Sequence, residues 1–164
     1  MIDFFGQNLR LLSGIKITGM KTALEAIDYL HSLGIKTVVI SSTETGFDGT
    51  NEQLMTIGSS QLPGVNNQDR QLCKLVIPRI PARFTGTGDL FAALFLAWFT
   101  KTKFDLKITM ENVTATLNSI IRRTYEYANN KPNGLELPFN RELRIIQSRD
   151  DILEPKIQNS AELI

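Results

Sequence analysis

The stretch KTALEAIDYLHSLGIKTVVIS, residues 21–41, decides the fold of this chain. Its first part carries apolar residues at the spacing of one helix face: Ala23, Leu24, Ile27, Leu30 and Leu33. Thr18 or Thr22 can cap the start of this helix, and Gly34 stands where a C-terminal glycine is expected. Residues 36–41 form a short β-branched run, which is typical of a buried parallel strand. A helix, a glycine turn and an apolar strand make up half of a βαβ unit, so the stretch predicts an α/β fold.

Downstream, the pattern predicts a β-hairpin followed by two long helices. Residues 53–59 and 72–77 have the character of strands, and the polar loop between them favours antiparallel pairing. Residues 89–101 are apolar nearly all round, so we expect this helix to be buried on most of its faces. Residues 109–130 follow as a long amphipathic helix.

Length, charge and two rare residue types limit the classes of protein. A chain of 164 residues favours a single domain. The 18 Lys and Arg residues against 17 Asp and Glu residues give a net charge of +1, so neither nucleic acid nor an anionic membrane is an expected partner. Cys73 is the sole cysteine, which excludes an intramolecular disulfide and favours a reducing compartment. His31 is the sole histidine, which removes multi-histidine metal sites.

The sequence also argues against a membrane or secreted protein. The longest apolar run, residues 90–99, is half of the roughly 20 residues that a membrane helix needs. Residues 1–8 lack the basic start and the apolar core of a secretory signal. We therefore expect a cytoplasmic protein.

The segment RFTGTGDLFAAL, residues 83–94, is the one most suited to chemistry. Gly86 and Gly88 let the backbone approach a ligand closely or adopt positive φ, and a helix begins directly after them. The free N–H groups and positive dipole of the first turn suit a phosphate. Asp89, at the start of that helix, could accept the proton of an alcohol that attacks a phosphate. The alternative is that Asp89 is only a helix cap and the glycines only a tight turn.

Two standard nucleotide motifs do not fit this segment. Phe91 occupies the position of the third glycine of a dinucleotide fingerprint, and no lysine with a following Ser or Thr stands in the Walker position. A phosphate site here would therefore belong to another kind of kinase.

An ordered set of motifs resembles the ribokinase-like family and, within it, the pyridoxal kinases. The set comprises LLSG at 11–14, LHSLG at 30–34, TVVISS at 37–42, GTGDLFAA at 86–93 and ELRIIQS at 142–148. The similarity runs from residue 9 to residue 164 and corresponds to the second half of that family. The resemblance implies a three-layer α/β/α architecture, in which residues 1–164 form the C-terminal, ATP-binding and catalytic-base portion of one domain whose N-terminal half is absent.

The resemblance also implies residue roles. Asp89 matches the family's catalytic base, and the Gly86–Gly88 backbone matches the anion hole around the γ-phosphate. The positions that match nucleotide contacts are Ser41, Ser42, Ile80, Pro81, Ala82 and Thr87. An asparagine and a glutamate that the family links to magnesium and phosphate have no counterpart at residues 4–8, FFGQN, so no metal ligand is assigned.

The function that the resemblance implies is ATP-dependent phosphorylation of the 5′-hydroxymethyl group of pyridoxal, pyridoxine or pyridoxamine. It further implies Mg²⁺, a monovalent cation (K⁺ or Na⁺) and a homodimer. Two alternatives stay open at this point. One is an impaired fragment or splice product that binds only nucleotide or a partner, and the other is a related kinase of hydroxymethylpyrimidine or a nucleoside.

Other residues carry weaker expectations. His31 is expected at the surface or an interface, Cys73 as a small buried hydrophobe, and Trp98 in the core. Arg123 is expected on a solvated helix face. Residues 142–148 predict a short strand, and residues 149–164, including Asp151, a polar tail.

Overall fold

A computed structural model of the chain describes residues 2–43, 52–62 and 70–164. Its centre is one five-stranded sheet whose spatial order follows the chain: β1 (Ile2–Phe5), β2 (Thr37–Thr43), β3 (Gln53–Ser60), β4 (Gln71–Pro78) and β5 (Glu162–Leu163). β1 and β2 are parallel, and every later neighbouring pair is antiparallel. The predicted strand after Gly34 and the predicted hairpin are confirmed, although most of the hairpin loop, residues 63–69, lies outside the described residues.

The described residues form five α-helices: the three that the sequence pattern predicts, with ends shifted by up to three residues, and two short ones that it did not predict, the first and the last. They are α1 (Gly6–Ser13), α2 (Met20–Ser32), α3 (Thr87–Lys101), α4 (Leu106–Asn129) and α5 (Arg149–Leu153). None of the described helices is both long enough and apolar enough to span a bilayer.

Side chains alternate between the two faces of the sheet and build an apolar layer on each. Val38 and Ile40 of β2 face α1 and α2, whereas Val39 between them faces α3 and α4. The first layer contains Leu9, Ala23, Ala26, Ile27, Leu30, Val38, Ile40 and Ile57. The second contains Val39, Cys73, Leu75, Phe91, Leu94, Phe95, Phe99, Leu106, Met110, Val113 and Ala161. Helices on both faces of the sheet give the three-layer α/β/α architecture that the resemblance implied.

α2 ends in a Schellman motif that fixes the entry into β2. Gly34 has φ +90°, its N–H donates to the His31 carbonyl at 2.9 Å, and the Ile35 N–H donates to the Leu30 carbonyl at 3.3 Å. At the other end the N-cap is Gly19, and Thr22 supplies the side chain whose Oγ1 accepts from the backbone N–H of Gly19 at 3.2 Å. Of the two threonines considered as caps, it is Thr22 whose side chain binds the exposed backbone at this end, and it does this from within the first turn of α2.

Gly58 of β3 sets how closely α4 approaches the sheet. A Cβ built on Gly58 would overlap the Sδ atom of Met110 and lie 3.3 Å from Cδ1 of Leu106. Both side chains are fully buried, so the absence of a side chain at residue 58 is what admits this packing.

The two expectations for the C-terminal region are wrong. Residues 142–148 form no strand but end in a 3-10 turn, Ile146–Ser148. The supposed polar tail forms α5 and then β5, which pairs with β4 through Cys73↔Leu163 and Lys74↔Glu162. Individual side-chain contacts hold this segment against β4 although its composition is polar. Lys74 and Glu162 form an ion pair at 3.0 Å, and Ala161 is buried.

Two expectations for single side chains and one for a helix are also wrong. His31 is buried rather than at the surface, because its ring is hydrogen-bonded on both sides. Arg123 pairs with Asp151 at 2.6 Å and also donates to Ser148, so the tail folds back onto α4. The helix that is apolar nearly all round leaves its outward face open, since Leu96 is 62% exposed.

Two expectations are confirmed. Cys73 is fully buried in the layer beneath α3 and α4, and burial raises the pKa of its thiol to about 12. A thiol in that state is a packing group and not a nucleophile. Trp98 is half-buried against the same layer.

Candidate active site

The ends of three strands meet at one edge of the sheet. β1 and β2 run in the same direction, and β4 shares it because β3 is antiparallel to both of its neighbours. The register pairs Phe5 with Ser42 and Gln53 with Pro78, so the carboxyl ends of β1, β2 and β4 lie together. Open α/β sheets bind ligands at such an edge. Ser41 and Ser42 lie at the carboxyl end of β2, and residues 80–82 follow β4, so both segments lie at this edge.

The start of α3 has the geometry of an anion site. Its N-cap, Gly86, has φ +84°, and a Cβ built there would meet no heavy atom within 4 Å. The left-handed backbone and not the available space therefore favours glycine at residue 86. Gly88 is already helical, and the first helical hydrogen bond runs from the Leu90 N–H to the Gly86 carbonyl at 3.0 Å. The N–H groups of Thr87, Gly88 and Asp89 precede that bond and lie at the positive end of the dipole.

Asp89 is the third residue of α3, and its side chain is exposed. A carboxylate in the first turn is stabilised by the helix dipole. The same position keeps it beside the backbone N–H groups that could hold a phosphate. The N-cap is Gly86 and not Asp89, so the alternative that Asp89 is only the cap is wrong, and its exposed carboxylate is placed to accept a proton.

Ser41 carries an unsatisfied hydroxyl at the end of β2. Its Oγ is buried and has no hydrogen-bond partner among the described residues, while its carbonyl accepts from Thr56 Oγ1 at 2.8 Å. A buried hydroxyl without a partner costs about 1–3 kcal/mol, so it calls for a ligand atom or another group. The neighbouring Ser42 lies in β2 by its backbone, but its side chain is outside the described residues.

Ile80, Pro81 and Ala82 form a tight turn between β4 and α3. The Ala82 N–H donates to the Ile80 carbonyl at 2.7 Å, which closes a three-residue turn around Pro81. Pro81 is exposed, whereas its two neighbours are half-buried. The turn brings the chain from the edge of the sheet toward Gly86.

A polar cavity of about 60 Å³ lies where β4 ends against α4, and the sequence reasoning missed it. Its lining includes Ile77, Thr114, Asn118, Arg122 and Lys156. The Thr114 hydroxyl is buried and has no partner among the described residues. The sequence does carry a signal for this cavity, because Thr114, Asn118 and Arg122 recur at intervals of four and therefore share one face of α4.

The described residues contain no group of three or more His, Cys, Asp or Glu side chains that could hold a metal ion. Mg²⁺ in nucleotide sites is bound mainly through phosphate oxygens, water and one or two carboxylates. Any such ion here would therefore depend on a bound nucleotide for most of its ligands.

Comparisons with known proteins agree on one family. The chain is 37% identical to pyridoxal kinase from Bos taurus over 150 residues, which cover 90% of this chain. The structure of pyridoxal kinase from Leishmania donovani in complex with ADP matches 99% of this chain, with a TM-score of 0.81 and 25% identity. The same enzyme in complex with ADP and pyridoxamine matches with a TM-score of 0.81 and 24% identity. No protein-family model matches the chain.

The matches are partial on the side of the relatives. The chain spans 48% of the Bos taurus protein and 51% of the Leishmania donovani chain with ADP. The motifs at residues 86–93 and 142–148 indicate which half is present. Over 90% of its length the chain is therefore similar to about half of the pyridoxal kinases, which fits the expected C-terminal half, and its fold is ribokinase-like.

Proposed function

We propose that this chain supplies the nucleotide-binding and proton-accepting half of a pyridoxal kinase. The reaction transfers the γ-phosphoryl group of ATP to the 5′-hydroxymethyl group of pyridoxal, pyridoxine or pyridoxamine. The observation that carries the proposal is the start of α3, where the left-handed Gly86 exposes backbone N–H groups beside the exposed carboxylate of Asp89.

In this mechanism Asp89 is the general base. The alcohol oxygen forms a bond to the γ-phosphorus while the bond from that phosphorus to the β–γ bridging oxygen breaks. ADP leaves with the bridging oxygen, and the alcohol proton passes to the Asp89 carboxylate. Such a base contributes about 10²–10⁴-fold to the rate.

The backbone of α3 stabilises the transferred group. Charge builds up on the oxygens of the phosphoryl group as it moves, and fixed N–H dipoles stabilise that charge without reorganising. The N–H groups of Thr87, Gly88 and Asp89 are oriented by the helix that follows them. Gly86 contributes by holding the turn in the left-handed conformation.

The nucleotide is proposed to lie along the edge formed by β2 and β4. Ser41 offers its unpartnered hydroxyl, Ser42 follows it, and the turn at residues 80–82 would flank the nucleotide. The unpartnered hydroxyl of Thr114 in the cavity beside Ile77 is a further group that a nucleotide could satisfy. Solved structures of the Leishmania donovani relative in complex with ADP, and with ADP and pyridoxamine, support these two ligand classes.

Four further elements of the proposal come from the resemblance. ATP would arrive with Mg²⁺, which neutralises charge on the β- and γ-phosphates. A monovalent cation would bind near the nucleotide, the whole protein would be a homodimer, and it would work in the cytoplasm.

The decisive experiment incubates the chain with ATP, Mg²⁺ and pyridoxal and measures pyridoxal 5′-phosphate. Turnover is expected, and Asp89→Asn should abolish most of it while leaving ATP binding intact. Asp150→Asn is the matched control, because Asp150 is also an exposed acid in the first turn of a helix. Turnover that survives Asp89→Asn would refute the assignment of the base.

A second function is favoured by the partial coverage of the relatives. A chain that spans about half of a kinase could bind nucleotide without catalysing transfer. ATP binding without turnover under the same conditions would support this nucleotide-only function. Preferential turnover of a hydroxymethylpyrimidine or a nucleoside would instead indicate a related kinase.

A further inference from the structure

The polar cavity between α4 and the C-terminal segment carries positive charge that no acidic side chain in its lining balances. Arg122 and Lys156 both line it, and none of the described residues around it is Asp or Glu. Neither cation forms an ion pair with the described residues, whereas the neighbouring Arg123 pairs with Asp151 at 2.6 Å. The whole chain has a net charge of only +1, so this concentration of positive charge is a local feature.

Thr114, in the same lining, has a hydroxyl that its helix leaves unsatisfied. A helical threonine can donate to the carbonyl four residues earlier, and Thr109, Thr116 and Thr124 of α4 do so at 2.5, 2.9 and 2.7 Å. The Thr114 hydroxyl makes no such bond, although the residue is only 5% exposed. A buried hydroxyl without a partner is destabilising, so it calls for a ligand atom.

The wall that α4 contributes brings this hydroxyl and one of the cations onto the same side. Thr114, Asn118 and Arg122 lie on one face of the helix. Bonds from Cα to Cβ in a helix tilt toward its N-terminus, so the long side chain of Arg122 starts in the direction of Asn118. Ile77 is the last residue but one of β4, which places the cavity at the carboxyl edge of the sheet.

The opposite wall is a segment that is fixed to α4 on both sides of Lys156. Before this lysine, Asp151 pairs with Arg123, and after it the Ala161 N–H donates to Glu111 at 2.9 Å. The space between the two walls is about 60 Å³. One water molecule needs about 10–15 Å³ of such space, so the cavity has room for roughly five water-sized atoms. A tetrahedral oxyanion such as phosphate has that number of heavy atoms.

We propose that Thr114, Arg122 and Lys156 bind a phosphate-class oxyanion in this cavity, at a site separate from the start of α3. The guanidinium and the ammonium group donate charge-assisted hydrogen bonds to phosphate oxygens, which are about twice as strong as neutral ones. The Thr114 hydroxyl donates to a further oxygen. A free phosphate and a phosphate carried by a nucleotide offer this same chemistry. The site requires neither kinase turnover nor the role assigned to Asp89.

The test titrates the isotope-labelled 164-residue chain with sodium phosphate at constant ionic strength and follows backbone amide signals by NMR. The signals of Thr114 and Asn118 should shift and reach saturation. Arg122→Gln/Lys156→Gln should raise the Kd for phosphate about tenfold or more, because both charged donors are lost.

Lys16→Gln/Lys21→Gln is the charge-matched control. Both lysines are exposed, and α2, which contains Lys21, packs on the other face of the sheet. This variant should bind phosphate with the Kd of the unmodified chain.

Thr114→Val gives a second test, because it keeps the shape of the side chain and removes only the hydroxyl. The Kd for phosphate should rise about tenfold. Without phosphate, the free energy of unfolding should stay the same or increase, since an unsatisfied group leaves the interior. A hydroxyl with a purely structural role would instead lower the stability and leave the Kd unchanged.

Titrations with ATP and with adenosine identify the source of the phosphate. If ATP saturates the two signals and added phosphate moves them no further, the nucleotide supplies the group. If phosphate still shifts them at saturating ATP, the bound anion is free phosphate.

Three outcomes overturn the proposal. They are phosphate shifts that do not saturate, an unchanged Kd in Arg122→Gln/Lys156→Gln or in Thr114→Val, and shifts of the same signals by adenosine, which has no phosphate. Failure of ATP to bind at all bears on the proposed function and not on this site, because phosphate is titrated alone.

Discussion

Nε2 of His31 lies 2.8 Å from Oγ of Ser59, which joins α2 to β3 inside the protein. Nδ1 of the same ring lies 2.6 Å from the Ile35 carbonyl oxygen. A carbonyl can only accept, so Nδ1 donates to it, while Nε2 shares a hydrogen bond with the Ser59 hydroxyl. The Ser59 Oγ in turn accepts from Nε of Arg70 at 2.9 Å. One histidine thus connects the end of α2 with the segment that leads into β2 and with β3.

Replacing this histidine should destabilise the fold. His31→Phe keeps an aromatic ring but leaves the Ile35 carbonyl and the Ser59 hydroxyl without their partner in a buried place. The expected loss is about 1–3 kcal/mol in the free energy of unfolding, measured by urea denaturation. Ser32→Ala is the control, because its hydroxyl bonds to the Tyr29 carbonyl at the exposed end of the same helix. Equal effects of the two variants would contradict the structural role assigned to His31.

A second prediction concerns the contact between α4 and the sheet. Gly58→Ala adds a methyl group where Met110 and Leu106 already fill the space, so overpacking should cost about 1–3 kcal/mol in the free energy of unfolding. Met110→Val in the same chain removes the overlapping sulfur. The double variant should therefore lose less than the sum of the two single variants, as thermal or urea unfolding can measure. Simple additivity would show that the two positions do not share this space.

Regular elements were predictable because they follow periodic burial. The alternation of Val38, Val39 and Ile40 between two layers, and the helix that ends at Gly34, are visible in the sequence itself. The strand β5 was not predictable in this way. It is held by individual contacts, such as the hydrogen bond from the Ala161 N–H to Glu111 at 2.9 Å. Such contacts produce no periodic pattern in the sequence.

The candidate site was predictable only in part, for the same reason. Gly86 and Asp89 lie at the start of an apolar helix, so the local sequence indicated an anion site. His31 looked like a surface residue, because its partner Ser59 is 28 residues away along the chain. The cavity at Thr114 also depends on tertiary packing, since α4, the end of β4 and the segment around Lys156 meet there.

A third prediction follows from Glu111, which joins α4 to the C-terminal segment. Burial alone would raise its pKa, but hydrogen bonds from Lys107, Ser160 and the Ala161 backbone outweigh burial and hold the pKa below the ordinary 4.5. A lowered pKa in the folded state stabilises the protein above the unfolded value, and that contribution disappears as pH falls through the folded value. The stability difference between the unmodified chain and Glu111→Gln should therefore shrink on going from about pH 7 to about pH 3.

The measurement is urea unfolding of both chains at a series of pH values. Ser160→Ala removes one of the three donors to this carboxylate and should reduce the pH dependence without abolishing it. A stability difference that grows toward low pH would contradict the assigned direction of the pKa shift.

The last prediction separates the two roles of the glycine at the start of α3. Gly86 and Gly34 have similar left-handed backbones, with φ +84° and φ +90°, and a Cβ at either would meet nothing within 4 Å. Valine at either position should therefore cost a similar amount, about 1–2 kcal/mol in the free energy of unfolding. Only Gly86→Val alters the turn that presents the N–H groups of α3. By calorimetric titration its affinity for ATP should fall about tenfold or more, whereas Gly34→Val should bind ATP like the unmodified chain. Equal loss of ATP affinity in both variants would mean that the effect comes from general destabilisation, and the phosphate site would then have to lie elsewhere on the edge formed by β2 and β4.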